Sequence, residues 1–206
     1  EIYGEYASSK SLSVLIGTAI VMSLALVVTK FLAQKNESSK LMFQNAYSLI
    51  LRNLMLSFII LIPLTLFLQR DLPMTILFLI GFVFNEMIHV ALAYYQAKGD
   101  FVTSSKQIMF RTIIYGLGAS ILVAQGFSIL SLIMFQVITL VSFFAVAHFS
   151  IPKNDIDLNS NKSVKNNLQS SGKKMVLTTF SSALISELDI VLLGLFYSGS
   201  ALGVLA

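Results

Sequence analysis

Long stretches without a charged residue constrain this chain more than any other feature. Between Lys10 and Lys30 lie 19 uncharged residues, and residues 112–152 contain no Asp, Glu, Lys or Arg. A helix needs about 20 apolar residues to cross a hydrocarbon core of about 30 Å, so the first stretch fits one crossing and the second fits two. Because the chain is 56% hydrophobic and only 12% charged, a water-soluble fold could not bury its surface. We therefore expect an integral membrane protein.

Apolar segments divide the chain into six predicted transmembrane helices. They cover 11–29, 54–69, 73–97, two helices between 112 and 152, and 175–198. The sequence Gln-Gly-Phe-Ser at 125–128 is typical of a turn and predicts the hairpin between the fourth and fifth helices. Residues 150–174 are rich in Asn, Ser, Lys and Asp, which predicts a solvated connector. The predicted fold class is all-α, a polytopic membrane helical bundle with six transmembrane helices.

The basic residues indicate how these helices are oriented. Twelve of the 14 Lys and Arg residues lie in 30–53, 98–111 and 150–174, whereas Lys10 and Arg70 lie in the alternate connections. An excess of Lys and Arg in short loops marks the cytoplasmic side. We therefore expect a cytoplasmic connector and a periplasmic or external residue 1. Since these residues form no aromatic-interleaved patch, no nucleic acid is expected as a partner.

The two ends of the chain and its lack of cysteine indicate what else to expect of the protein. The chain opens at Glu1 without an initiator Met and closes directly after a hydrophobic run, so we expect a piece of a longer protein. The absence of Cys excludes thiolate metal sites and Cys nucleophiles, and two His residues are too few for a metal cluster. No phosphate loop or hydrolase motif occurs, so we expect neither an enzyme nor a cofactor.

Ionisable residues inside predicted helices are the first candidate functional residues. A charge at the bilayer centre costs roughly 2.5–3.5 kcal/mol on translocon scales, so such a residue usually faces a cavity or a partner. Glu86 and His89 are three residues apart and share one helix face, where they could serve proton coupling, contact substrate or join helices. Glu187 and Asp189 are two apart and cannot share a face, and Asp189 is the favoured functional residue.

Arg52 and Arg111 lie at the predicted cytoplasmic starts of two helices. One interpretation makes them anchors whose side chains snorkel to the interface. The other makes them the wall of a basic cavity that receives an anionic phosphate, for which the planar guanidinium is well suited. Asn85, Tyr115 and Gln136 add hydrogen-bonding groups at membrane depth, which either bind sugar hydroxyls or join helices.

Several segments together resemble a known family of transporters. They include residues 2–7 (Ile-Tyr-Gly-Glu-Tyr-Ala), 94–101 (Tyr-Tyr-Gln-Ala-Lys-Gly-Asp-Phe) and 184–194 (Leu-Ile-Ser-Glu-Leu-Asp-Ile-Val-Leu-Leu-Gly). The chain resembles the oligosaccharide flippases of O-antigen and capsule export, within the multidrug/oligosaccharidyl-lipid/polysaccharide exporter superfamily. That family commonly has Arg where this sequence has Gln96, so we assign Gln96 no contact with phosphate.

The resemblance implies a fragment of a larger two-lobed transporter. Residues 1–149 would be five transmembrane helices of the N-terminal lobe, whose first helix precedes this chain. Residues 150–174 would be the cytoplasmic connector, and residues 175–206 would hold the first helix of the C-terminal lobe. The implied function is translocation of undecaprenyl-pyrophosphate-linked oligosaccharide repeat units from the cytoplasmic to the periplasmic leaflet of the bacterial inner membrane. Alternating access between the lobes would move this substrate for O-antigen, capsule or exopolysaccharide biosynthesis.

The resemblance also suggests roles for the candidate residues. Arg52 and Arg111 would contact the phosphates, Glu86 and His89 would form a gate or proton site, and Asp189 would line the lumen or join the lobes. A proton or a sodium ion is the candidate coupling ion, and the glycan polymerase is a candidate partner. Two alternatives stay open: a cation-coupled multidrug exporter of the same superfamily, and a membrane scaffold for glycan assembly.

Overall fold

The computed structural model describes residues 2–21, 23–34, 39–68, 70–151 and 162–196 of the chain. All secondary structure within these ranges is helical, which confirms the all-α prediction. The helices are α1 Ile2–Val21, α2 Leu24–Ala33, α3 Ser39–Phe67, α4 Leu72–Ala97, α5 Phe101–Ala124, α6 Ile129–Phe149 and α7 Lys162–Phe196.

Five helical segments in the described ranges are long and apolar enough to cross a membrane. They are Gly4–Ala33, which comprises α1 and α2, and then Met42–Phe67, Leu72–Ala97, Phe101–Ala124 and Ile129–Phe149. The chain is therefore a multi-pass membrane protein, and five of the six predicted crossings are confirmed. The sixth coincides with the second half of α7, where side chains 188, 189 and 191–196 lie outside the description, so this crossing stays a prediction.

Four helices begin well before the residues that the sequence predicted. α1, α3, α5 and α7 start at Ile2, Ser39, Phe101 and Lys162, whereas the apolar runs start at residues 11, 54, 112 and 175. Charged and polar residues ended the apolar runs, but a helix satisfies its own backbone and continues through them. The first half of α7 also packs: Leu168 is fully buried in the main apolar cluster, within the predicted solvated connector.

Helix α4 lies at the centre of the bundle. It contacts α1, α2 and α3, and it also contacts α5 and α6, which pack against each other as a hairpin. Gly17 allows α1 to approach α4, since a Cβ atom there would lie 2.3 Å from the Phe82 ring. Ser13 Oγ donates to the carbonyl oxygen of Thr75 at 2.8 Å and joins the same two helices. Small residues at such interfaces let membrane helices pack closely.

The first span contains a break between α1 and α2. Ser23 has φ 50° and ψ 34°, a left-handed conformation that is uncommon for a residue other than glycine. Its Oγ is hydrogen-bonded to Thr179 Oγ1 of α7. The break therefore lies where three helices meet, and α7 contacts the chain on both sides of it.

Short turns connect α3 to α6 and make successive helices antiparallel. Asp71 caps α4 by accepting a hydrogen bond from Met74 N at 2.7 Å, and Asp100 caps α5 by accepting from Thr103 N at 3.0 Å. Gly99 adopts φ 77° between α4 and α5, a conformation that glycine allows. The starts of α4 and α6 thus lie at one end of the bundle, together with the turn at 125–128. The turn 98–100 lies at the other end with Ser150, whose carbonyl oxygen accepts from Tyr95 Oη at 3.0 Å.

Candidate functional site

A pocket of about 310 Å³ lies among four helices of the bundle. Helices α1 and α4 contribute one part of its lining, and helices α5 and α6 contribute the other. The lining residues are Lys10, Val14, Phe78, Gly81, Phe82, Asn85, Arg111, Thr112, Tyr115, Gln136, Thr139 and Leu140. None of these is acidic, so within the described residues the charged lining groups are both cationic.

Arg111 lies deep in its helix rather than at an end. The predicted position at the start of a span is wrong, because α5 begins at Phe101. Ten residues of helix place Arg111 about 15 Å from that start. The side chain is half-buried, and its Nη1 donates to Asn85 Oδ1 at 2.7 Å. A guanidinium that is held by another helix and lines a pocket favours the cavity interpretation over the interfacial anchor.

Glu86 and His89 lie beside this arginine without lining the pocket. Both are half-buried on α4, and both interact electrostatically with Arg111. Asn85 connects the groups, because its Nδ2 donates to Glu86 Oε1 at 3.5 Å while its Oδ1 accepts from the guanidinium. The structure thus brings three of the predicted site residues together, with Asn85 between Arg111 and Glu86.

Arg52 is not part of this cluster. Its predicted position at the start of a span is also wrong, because α3 begins at Ser39 and Arg52 lies about 20 Å along that helix. The side chain is exposed and donates to Asn53 Oδ1 at 3.4 Å. Asp189, the remaining predicted site residue, belongs to α7, but its side chain lies outside the described residues.

Lys10 is a pocket residue that the sequence analysis missed. It was assigned to an external loop, whereas the structure places it on α1 with its side chain exposed to the pocket. Within the described ranges Lys10 has no acidic partner. The small residues around Lys10 could have predicted a helix there, because such a run is typical of a packed membrane helix. Four of them, Ala7, Ser8, Ser9 and Ser11, are buried.

The rest of the lining combines aromatic, hydroxyl and amide groups. The Tyr115 ring stacks on Phe135, with ring centroids 6.2 Å apart and an interplanar angle of 17°. Thr139 Oγ1 donates to the Phe135 carbonyl oxygen at 2.8 Å. The Gln136 side chain makes no hydrogen bond to any described residue. Tyr115 and Gln136 were predicted only as polar groups at membrane depth, and the structure places them in one site with Arg111 and Lys10.

The chemistry of this lining favours a polar anionic ligand. Two cations approach one volume, and uncharged donors surround the same volume. Lys10 has no acidic partner in the described ranges, and a cation at membrane depth without a counter-charge is costly, so an anion that binds between Lys10 and Arg111 lowers that cost. No group of three or more His, Asp or Glu side chains that could hold a metal ion occurs among the described residues.

Comparison with known proteins gives one match. The sequence profile of a family described as polysaccharide biosynthesis protein matches residues 3–206. This range includes the four helices that line the pocket. No curated protein and no solved structure matches the chain.

Proposed function

The chain belongs to this family of polysaccharide biosynthesis proteins, and on that premise we propose that it transports a lipid-linked oligosaccharide. The substrate is a repeat unit joined to undecaprenyl pyrophosphate, and the protein moves it from the cytoplasmic to the periplasmic leaflet of the bacterial inner membrane. The observation that carries the proposal is the convergence of Lys10 and Arg111 on one pocket that has no acidic lining residue. The pyrophosphate supplies the anion that this pocket lacks.

Asn85 positions the guanidinium, whereas Arg111 and Lys10 bind the substrate. Asn85 holds one guanidinium nitrogen of Arg111 at 2.7 Å and leaves the other N–H groups available to a phosphate oxygen. Arginine donates through a planar fork that matches phosphate geometry, whereas lysine contributes a point charge. Arg111 therefore orients the pyrophosphate, and Lys10 adds charge from the opposite helix.

A transporter of this substrate also has to separate a polar head from an apolar tail. The pocket offers polar groups to the head, and large apolar side chains on the outer faces of α3, α5 and α6 are exposed, so the lipid tail can stay in the bilayer. Movement of one helical half against the other around such a site is the alternating-access mechanism. In this proposal Glu86 and His89 are the proton site, because they share one face of α4 and Asn85 is hydrogen-bonded to both Glu86 and Arg111.

The test is an Arg111→Gln substitution in the native host, in a strain that lacks the chromosomal gene. Removal of a hydrogen-bonded charge contact costs about 2 kcal/mol or more, which predicts a loss of surface polysaccharide of more than about tenfold. Single repeat units on undecaprenyl pyrophosphate should accumulate in the cytoplasmic leaflet. Both quantities are measured at equal abundance of the protein in the membrane.

Lys106→Gln is the matched control, because Lys106 is exposed on the same helix and lies outside the pocket. It should leave export unchanged. If Arg111→Gln exports normally, Arg111 does not bind substrate. Normal polysaccharide in the deletion strain together with increased drug susceptibility would instead favour the multidrug exporter.

A further inference from the structure

The polar groups of α5 and α6 that line the pocket lie at different depths in the bundle. Arg111 lies 13 residues before the end of α5 at Ala124, about 20 Å from the turn at 125–128. Tyr115 is one helical turn closer to that turn, and Gln136, seven residues after the start of α6, is about 10 Å from it. Tyr115 and Gln136, which are uncharged hydrogen-bonding groups, therefore lie between Arg111 and the turn at 125–128.

Packing between α5 and α6 involves the residues next to these two groups. The Phe135 ring occupies the space beside Gly118, where a Cβ atom would lie 2.2 Å from the ring. The same ring stacks on Tyr115, and Gln136 is the next residue on α6. The Phe135 side chain thus packs against both Gly118 and Tyr115 of α5, and Gln136 follows it on α6.

The Gln136 side chain is a polar group of the pocket that has no hydrogen-bond partner among the described residues. Its amide provides two donors and one acceptor, and none of them bonds to a described residue. A glutamine that joins helices would have a partner on the neighbouring helix. The free amide lies in the pocket lining instead, where it can bond two adjacent hydroxyl groups of a ligand.

We infer that Gln136 and Tyr115 form a subsite for the sugar joined directly to the pyrophosphate. This inference rests on the proposed function and names the part of the substrate that the pocket selects. With about 310 Å³, the pocket is at the small end of the range of about 300–1,000 Å³ for ligand sites. It holds the diphosphate and the first sugar, and the rest of the repeat unit lies outside it.

The consequence is that specificity for the first sugar depends on Gln136, whereas affinity for the phosphates depends on Arg111. A site built to hydrogen-bond a hydroxyl group discriminates strongly against a ligand without it, because its polar groups are then left unpaired. Replacement of the Gln136 amide by an apolar side chain should remove this discrimination and leave phosphate binding intact.

The experiment measures equilibrium binding to the full-length protein in lipid nanodiscs. The probes are undecaprenyl diphosphate without sugar and undecaprenyl diphosphate that carries N-acetylglucosamine or galactose. In the wild type at least one sugar-bearing probe should bind about tenfold more tightly than the sugar-free probe, which corresponds to about 1.4 kcal/mol. Gln136→Leu should reduce that ratio to about one and leave the Kd of the sugar-free probe unchanged.

Three further variants keep the result interpretable. Gln125→Leu makes the same substitution at an exposed position outside the pocket and should keep the wild-type ratio. Tyr115→Phe removes only the hydroxyl and should reduce the ratio less than Gln136→Leu does. Arg111→Gln should weaken all probes by the same factor.

The outcomes separate this subsite from the proposed function. A wild-type protein that binds all probes equally, or a Gln136→Leu variant that keeps the wild-type ratio, overturns the subsite while phosphate binding stands. A wild-type protein that binds no probe overturns the proposed function itself.

Discussion

The first and fifth membrane-crossing segments have the same apolarity and opposite surroundings. Gly4–Ala33 and Ile129–Phe149 both have a mean hydropathy of 2.4 in their most apolar windows, yet 65% of the first window is buried and only 17% of the second. Hydropathy therefore reports that a helix crosses the membrane and not what it contacts. Small residues make the difference, because Ser and Gly on α1 admit α4, whereas Phe, Ile and Val side chains cover the outer face of α6.

The candidate site lies where these two regions meet. Lys10 belongs to the buried first span, while Arg111 and Gln136 belong to the α5–α6 hairpin, whose main contacts with the bundle are to α4. The tightly packed first span and the peripheral helix α5, which is joined to the bundle mainly through α6, thus hold the two sides of one pocket. Loosely packed elements are those from which proteins draw their moving parts.

The largest expected difference between the two regions is the loss of stability when a glycine is replaced by a larger residue. Gly17→Leu on α1 puts side-chain atoms where Phe82 already lies, and overpacking of this kind costs about 1–3 kcal/mol or more. Gly116→Leu on α5 adds the same atoms to open space and should be tolerated. Thermal unfolding of the two purified variants in one detergent tests this contrast. Equal losses would show that the hairpin is as tightly packed as α1.

A smaller effect, on ligand affinity, is expected from removal of the Lys10 charge, which the first span contributes to the pocket. Lys10→Gln should weaken binding of undecaprenyl diphosphate by about fivefold to tenfold, less than Arg111→Gln does, because lysine lacks the bidentate fork. Lys30→Gln is the control, since Lys30 is exposed on α2 outside the pocket. Binding measured at low and high salt should show a weaker salt dependence for Lys10→Gln alone. An unchanged Kd would leave Arg111 as the only phosphate contact.

The smallest expected effect concerns how the hairpin begins. Hydrogen bonds from Thr103 hold the pKa of Asp100 below its usual value of 3.8, so the cap favours the folded state while the carboxylate is ionised. That stabilisation is present above the usual pKa and is lost as the pH falls through the lowered one. Asp100→Ala should speed hydrogen exchange at Thr103 N at neutral pH, and Asp100→Asn, also a good cap, should not. Similar exchange in all three proteins would mean that the cap contributes nothing.

The sequence predicted the class of fold and much less of the site. Uncharged runs identified five confirmed crossings and the hairpin at 125–128, because membrane insertion depends on local composition. The depth of Arg111 and Arg52 was wrong because charged residues were read as helix ends. Lys10 was missed for the same reason. The meeting of Asn85, Arg111, Tyr115 and Gln136 could not be predicted, since it depends on how Gly17 and Gly118 let separate helices approach.

The break at Ser23 divides the first span into two helices, so that Ser23 is a joint between them. Lys10 is 13 residues from that joint, a lever of about 20 Å, so a rotation of about 10° moves its backbone by roughly 3 Å. Such a rotation needs no helical hydrogen bond to break within α1 or α2. A displacement of that size is the difference between a lysine that touches a phosphate and one that does not. Because Thr179 of α7 is bonded to Ser23, α7 contacts the point about which such a rotation of α1 would occur.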